Sequence, residues 1–212
     1  MEQTMRLILI RHGEAYASLQ QIIADVDKCP GLTEHGYRQA KQLAARLRAT
    51  GEFSNCTTFV SSPVPRARQT AENLLDALPV NRFDVDYDLR DVIPGEAEGL
   101  TQEEHAAKYG RFSMVAEPER PFSPGGESWL MFKQRVQQTM QRFATRYAGQ
   151  TVVAVAHSGF IVGSILELFA IPRPGGSGWL HPSYTGLTEW QFSDNRWCLA
   201  RYNDTSHLIP EA

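Results

Sequence analysis

Three short stretches rich in apolar and β-branched residues, at 5–10, 57–61 and 152–156, restrict this chain more than any other feature. Each is strand-length, and each runs straight into polar residues and then a helix-like pattern. Runs of this kind, without polar alternation, suit strands buried on both faces of a sheet. Thr33 is placed to cap a helix over 34–50, whose Ala40, Leu43, Ala44 and Leu47 share one face. Pro63 and Pro65 suit the lead-in and first turn of a second helix through Ala67, Thr70, Ala71, Leu74 and Leu75. Residues 82–89 alternate weakly, as an edge strand does, and Thr101 with Glu104 forms a capping box for a short helix to Gly110.

Three prolines and little periodicity make 111–125 a long loop. Trp129, Phe132, Val136, Met140, Phe143 and Tyr147 recur at helical spacing over 127–147. A further helix after His157 must stop before Pro172, 173–182 is a Gly/Pro-rich loop, and 186–192 with 196–202 reads as a hairpin. Strands alternating with helices predict an α/β three-layer sandwich: a mostly parallel central sheet, helices on both faces and a C-terminal β-hairpin. A length of 212 residues fits one domain over 1–212.

Net charge is −3, so no bulk basic surface marks a nucleic-acid or acidic-lipid partner, and any anion site must be a local cluster. Cys29, Cys56 and Cys198 are widely spaced with no CxxC, which indicates neither a disulfide framework nor a zinc site. No apolar run here is long enough for a signal core or a membrane span, and the chain reads as cytoplasmic, a monomer or homodimer.

The placement of a few residues carries the chemistry. Arg11-His12-Gly13 follows the first strand, Ser61-Ser62-Pro63 with Arg66 and Arg68 follows the second, and His157-Ser158-Gly159 follows the strand at 152–156. In open parallel sheets the loops beyond strand C-termini converge on the ligand site, so two histidines and at least two arginines should share a pocket. Arginine forks match phosphate oxygens, and the helix N-terminus after Pro65 adds oriented N–H groups. A neutral imidazole is a competent nucleophile, and Arg11 and Arg66 disfavour protonation of His12. Such a site calls for no metal. A leaving alkoxide needs a proton, and carboxyl candidates lie in the loop at 91–99: Asp91, Glu96 and Glu98.

Ser158 lacks the flanking glycines of a hydrolase nucleophile elbow, since Ala156 and Phe160 stand there. Gly175-Gly176-Ser177-Gly178 lacks the Lys-Ser/Thr of a phosphate loop and reads as a flexible connection. Arg68 should point away from the pocket.

The chain resembles the histidine phosphatase superfamily, in the branch that holds cofactor-dependent phosphoglycerate mutases and related phosphatases. The matching stretches are 9–14, 32–40, 61–71, 89–100, 126–128, 156–159 and the terminal Tyr202-Asn203-Asp204-Thr205 with His207-Leu208. The resemblance implies that His12 is the phosphorylated nucleophile and that Arg11, Arg66 and His157 complete the phosphate pocket. It places the general acid at Asp91, where the family usually has glutamate, and puts Ser18 where many relatives have a phosphate-facing asparagine.

The expected function is a phosphomonoester phosphatase that works through phosphohistidine on a small phosphorylated metabolite, without cofactor or metal. A phosphoglycerate mutase and a catalytically weak phosphate-binding protein are the alternatives. The resembling mutases carry a longer insertion than the segment at 100–125, which favours the phosphatase. Segments 111–125 and 173–183 are expected to wall the pocket, with Arg111, Arg120, Arg173 or Trp179 available to select the leaving group.

Overall fold

In the computed structural model, which describes residues 4–171, 178 and 180–208, the first apolar run is β1 (Met5–Arg11). It is followed by a single turn, α1 (Tyr16–Leu19), by α2 (Glu34–Thr50), and by β2 (Cys56–Ser61) with α3 (Pro65–Leu74). Next come β3 (Asp84–Val85), α4 (Gln102–Tyr109) and α5 (Trp129–Arg146). The chain then enters β4 (Thr151–Ala156) and α6 (Ser158–Leu168), and closes with the hairpin β5 (Leu187–Ser193) and β6 (Arg196–Asp204). Strand order is β3-β2-β4-β1-β5-β6. The first four strands are parallel, β5 runs antiparallel to β1, and β6 antiparallel to β5.

Alternation along the central strands builds two cores. Met5, Leu7 and Leu9 of β1, with Val152, Ala154 and Ala156 of β4, pack on one face against Phe132, Val136, Met140 and Phe143 of α5 and Phe160, Ile161 and Ile165 of α6. Ile8, Ile10, Val153 and Val155 point to the other face, against Leu43, Ala44 and Leu47 of α2 and Ala67, Ala71 and Leu74 of α3. This two-sided burial is the reason those runs carry no polar alternation. The expected three-layer α/β sandwich is present, with the antiparallel hairpin making the sheet mixed.

Caps set the helix boundaries. Thr33 Oγ1 accepts from Gly36 N at the start of α2, and the Thr101–Glu104 capping box opens α4 with both of its bonds made. The expected helix over 127–147 starts later, at Trp129, because Ser128 is its N-cap and Glu127 bonds back to Ile93 through both backbone and side chain. The edge strand expected over 82–89 shrinks to Asp84–Val85. The Asp86 side chain accepts from Asp88 N and turns the chain into a 3-10 turn at Tyr87–Leu89, while Arg142 holds Asp86 and Asp88 from α5. Among the described residues no helix is long and apolar enough to cross a membrane.

Candidate active site

Strands β2, β4 and β1 lie side by side and parallel, so their C-terminal ends open on one edge of the sheet. His12, Ser62 with Arg66, and His157 each follow one of these ends, and the structure brings them together. The His12 and His157 rings lie 5.1 Å apart between centroids, and Arg66 Nε is 3.1 Å from His12 Nε2.

The bonds of His12 define its tautomer. Nδ1 is 2.7 Å from Gly13 O, which can only accept, so Nδ1 carries the hydrogen. Nε2 then presents a lone pair and accepts from Arg66 Nε. Burial holds His12 well below the ordinary imidazole pKa, and the Arg66 and Arg11 guanidiniums lower it further. The lowered pKa favours the neutral imidazole, with burial as a larger cause than the two arginines.

A tight backbone approach fixes the His12 turn. A Cβ at Gly13 would lie 2.6 Å from Gly36 O, and one at Gly36 would strike Glu14 O. Gly13 N also donates to Thr70 Oγ1 of α3. Glu14 N donates to Gln39 Oε1 and Leu32 N to Gln69 Oε1, which gives those two glutamines a structural role.

His157 is fully buried, with Nε2 2.8 Å from Ser62 Oγ. Its pKa is also held well below the ordinary value, first by burial and then by Arg66, His12 and Arg11. Arg11 Nη1 donates to Pro182 O at 2.6 Å, and its guanidinium lies 3.9 Å from the centroid of the Tyr184 ring. Among the described residues, His157 Nδ1 and Arg11 Nε are buried without a hydrogen-bond partner. Such groups are costly in a folded protein unless a ligand or solvent meets them, and both belong to side chains gathered around His12.

The carboxyl candidates separate clearly. Asp91 Oδ2 accepts from Gly159 N at the start of α6, and its charge opposes the burial that lowers the Arg11 pKa. Asp91 therefore faces the cluster. Glu98 Oε1 instead accepts from the amides of Asp25, Asp27 and Lys28, as a staple for that loop. Glu96 is exposed, with Tyr109 Oη 3.4 Å from its Oε2.

Ser18 lies exposed on α1, and among the described residues no side-chain bond links it to the cluster. Arg68 is exposed as expected. Arg120 is committed to Glu117, to Tyr109 O and to the Phe112 ring, and Arg111 is exposed. Arg173, Trp179 and most of the Gly175–Gly178 stretch lie outside the described residues.

Tyr184 and Ser62 were not legible as site residues. Ser62 sat inside a matching stretch without a role. Tyr184 belongs to no motif, and only the return of the chain from the Gly/Pro-rich loop into β5 sets its ring on Arg11 and 5.9 Å from that of His12.

A mixed α/β sheet whose parallel strand ends gather a histidine of lowered pKa, two arginines, a second buried histidine and a carboxylate has the make-up of a phosphoryl-transfer enzyme. The family model of the histidine phosphatase superfamily (branch 1) matches residues 7–205, and the chain belongs to that superfamily. It is 29% identical over 213 residues to the uncharacterized phosphatase PhoE of Bacillus subtilis, covering 94% of this chain and 95% of that one. Against a 2,3-bisphosphoglycerate-dependent phosphoglycerate mutase of Brucella anthropi it is 30% identical over 176 residues, covering 76% and 80%. The structure of phosphoserine phosphatase from Entamoeba histolytica in complex with 3-phosphoglyceric acid superposes with a TM-score of 0.79 at 27% identity, covering 97% of this chain and 100% of that one. The protein is a histidine phosphatase.

Proposed function

We propose that the chain hydrolyses small phosphomonoesters by way of a phosphohistidine at His12. The observation that carries this reading is the lone pair on His12 Nε2, fixed by the Nδ1–Gly13 bond and held by Arg66. An incoming phosphate oxygen takes over the Arg66 N–H, which frees Nε2 for in-line attack on phosphorus. Arg11 Nε and His157 Nδ1, both without protein partners among the described residues, supply further donors to the equatorial oxygens. Ser62 fixes the His157 ring.

Asp91 protonates the leaving oxygen, then as carboxylate takes a proton from the water that hydrolyses the phosphohistidine. Of the three carboxyl candidates it is the one whose charge acts on Arg11 and whose side chain bonds at the start of the helix that follows His157. Ser18 has no assigned part in this scheme. The related enzyme from Entamoeba histolytica carries 3-phosphoglyceric acid in its structure, which favours a small carboxylated phosphoester as substrate here.

Rapid quench with a labelled aryl phosphate tests the scheme: an acid-labile, base-stable phosphoryl-enzyme is expected in the wild type and none in His12→Ala. Label retained by the mutant moves the nucleophile elsewhere. Turnover is expected to survive EDTA, and a loss restored by divalent metal would overturn the metal-free scheme. A panel of phosphorylated metabolites, including 3-phosphoglycerate with and without 2,3-bisphosphoglycerate, then separates hydrolysis from phosphoryl exchange.

A further inference from the structure

The C-terminal stretch Tyr202-Asn203-Asp204-Thr205 lies in sequence far from every residue of the proposed chemistry, yet its Asn203, with His207 just beyond, holds the loop that grips Arg11. Asn203 Oδ1 accepts from Ser183 N at 2.6 Å, and Asn203 Nδ2 donates to Ser183 Oγ at 3.3 Å. Two residues further on, Thr185 Oγ1 lies 2.8 Å from His207 Nε2. The loop so held meets Arg11 on four sides. Pro182 O accepts from Nη1, the Tyr184 ring centroid lies 3.9 Å from the guanidinium carbon, Thr185 N donates to Arg11 O, and Gly186 O accepts from Arg11 N.

The backbone is bent to make this possible. Asn203 has φ +50° and Thr185 φ +56°, a region that costs roughly 1 kcal/mol or more for most residues and that asparagine tolerates best among side-chain-bearing types. A Cβ at Gly186 would strike Asn203 Oδ1, so that position must be bare for the amide to reach the loop. Asp204, next in the chain, is clamped by Arg46 of α2 and by Arg201, which ties the end of β6 to the helix layer. The holding residues are therefore anchored independently of the loop.

We propose that Asn203 is a positioning residue for Arg11: through Ser183 it sets the Pro182–Tyr184 cradle that orients the guanidinium with Nε toward the phosphoryl group. This rests on the reading that Arg11 binds phosphate. Glycine accepts φ +50° without strain, so Asn203→Gly removes the side chain without forcing the backbone. Asn203→Asp tolerates the same φ and keeps the acceptor for Ser183 N.

The experiment is inhibition by inorganic phosphate together with steady-state kinetics on an aryl phosphate. Asn203→Gly is expected to raise the phosphate inhibition constant and KM about tenfold, with a smaller change in kcat, and Asn203→Asp to return both to within about threefold of wild type. In an Arg11→Ala background, Asn203→Gly should change the inhibition constant by less than about twofold, because the group it positions is gone. A wild-type inhibition constant in Asn203→Gly, a full additive loss in the Arg11→Ala background, or failure of Asn203→Asp to rescue each overturns the proposal. If Arg11→Ala itself leaves phosphate inhibition unchanged, the phosphate-binding reading of Arg11 fails, and the inference falls with it. His207→Ala loosens the same loop at Thr185 and serves if Asn203→Gly does not fold. Its weakening of phosphate inhibition must likewise vanish in the Arg11→Ala background.

Discussion

A Cβ at Gly159 would collide with the Asp91 carboxylate, so a side chain there requires Asp91 to move. Elsewhere in a helix, Gly→Ala stabilises by about 1 kcal/mol. Gly159→Ala at the first turn of α6 is therefore a sharp probe of the proposed acid. Its helix should hold or gain thermal stability while Asp91 is pushed aside. With poor alkyl leaving groups, Asp91→Asn is expected to lose about 10²–10³ in kcat, and Gly159→Ala a comparable amount, with far smaller losses on an activated aryl ester. Glu98→Gln should stay near wild type, since an amide oxygen can still accept from the Asp25, Asp27 and Lys28 amides. Leaving-group dependence measured across the three variants decides between the carboxyls, and a larger loss in Glu98→Gln would reverse the assignment. Composition and spacing alone could not separate the three, because each is a loop carboxylate within eight positions of the others; the family resemblance favoured Asp91, and the fold adds that Glu98 is already spoken for.

Among elements, those with local signals were legible and those shaped by distant partners were not. Thr33, the Thr101–Glu104 box, Pro65 and the apolar stripe of α5 each act within a turn or two of their own position, and each element they announce is present. The 82–89 stretch misled because its alternation is real, but Asp86 is pulled into a turn by Arg142, far along the chain. The loop that carries Asp91 is shaped in the same way. Arg135 of α5 donates to the carbonyls of Asp88, Arg90 and Asp91 and pairs with Glu127, which in turn accepts from Ile93 N. The Arg135–Glu127 pair is nearly buried, and removing one partner strands the other. Arg135→Met should therefore cost on the order of 3 kcal/mol, which for a chain of this size lowers Tm by roughly 6–12 °C. Glu127→Gln, which keeps an acceptor for Ile93 N, should cost less. Thermal denaturation reads both, and a Tm unchanged in Arg135→Met would show that the loop holds its shape without the clamp.

At the scale of the whole molecule, the parallel strand ends gather histidines at one edge of the sheet and bury them, and this gives the fold a definite response to acid. Burial and the neighbouring arginines hold His12 and His157 well below 6.5. Burial likewise pushes His207, at the end of the segment that braces the site, down to about 4 from 6.5. In the unfolded chain each recovers its ordinary pKa, so between 6.5 and the folded value the unfolded state binds more protons than the native one. Stability then rises with pH across that window and is lost as pH falls through it. For His12 and His157 the slope approaches about 1.4 kcal/mol per pH unit each; His207, with its smaller shift, adds a shallower share. Most carboxylates are still ionised above pH 5, so the decline between pH 7 and pH 5 belongs to the histidines. Below that, the groups oppose one another. Asp204, depressed by Arg46, adds to the acid loss, whereas Asp25, whose carboxyl is raised by burial, binds its proton more readily when folded and offsets part of it. Tm followed from pH 7 to pH 5 should fall steadily, and His207→Phe, if it folds, should flatten part of that slope. A Tm constant over those two units would mean that the site histidines protonate as readily in the folded protein as in the unfolded chain, and the neutral nucleophile proposed at His12 would lose its physical basis.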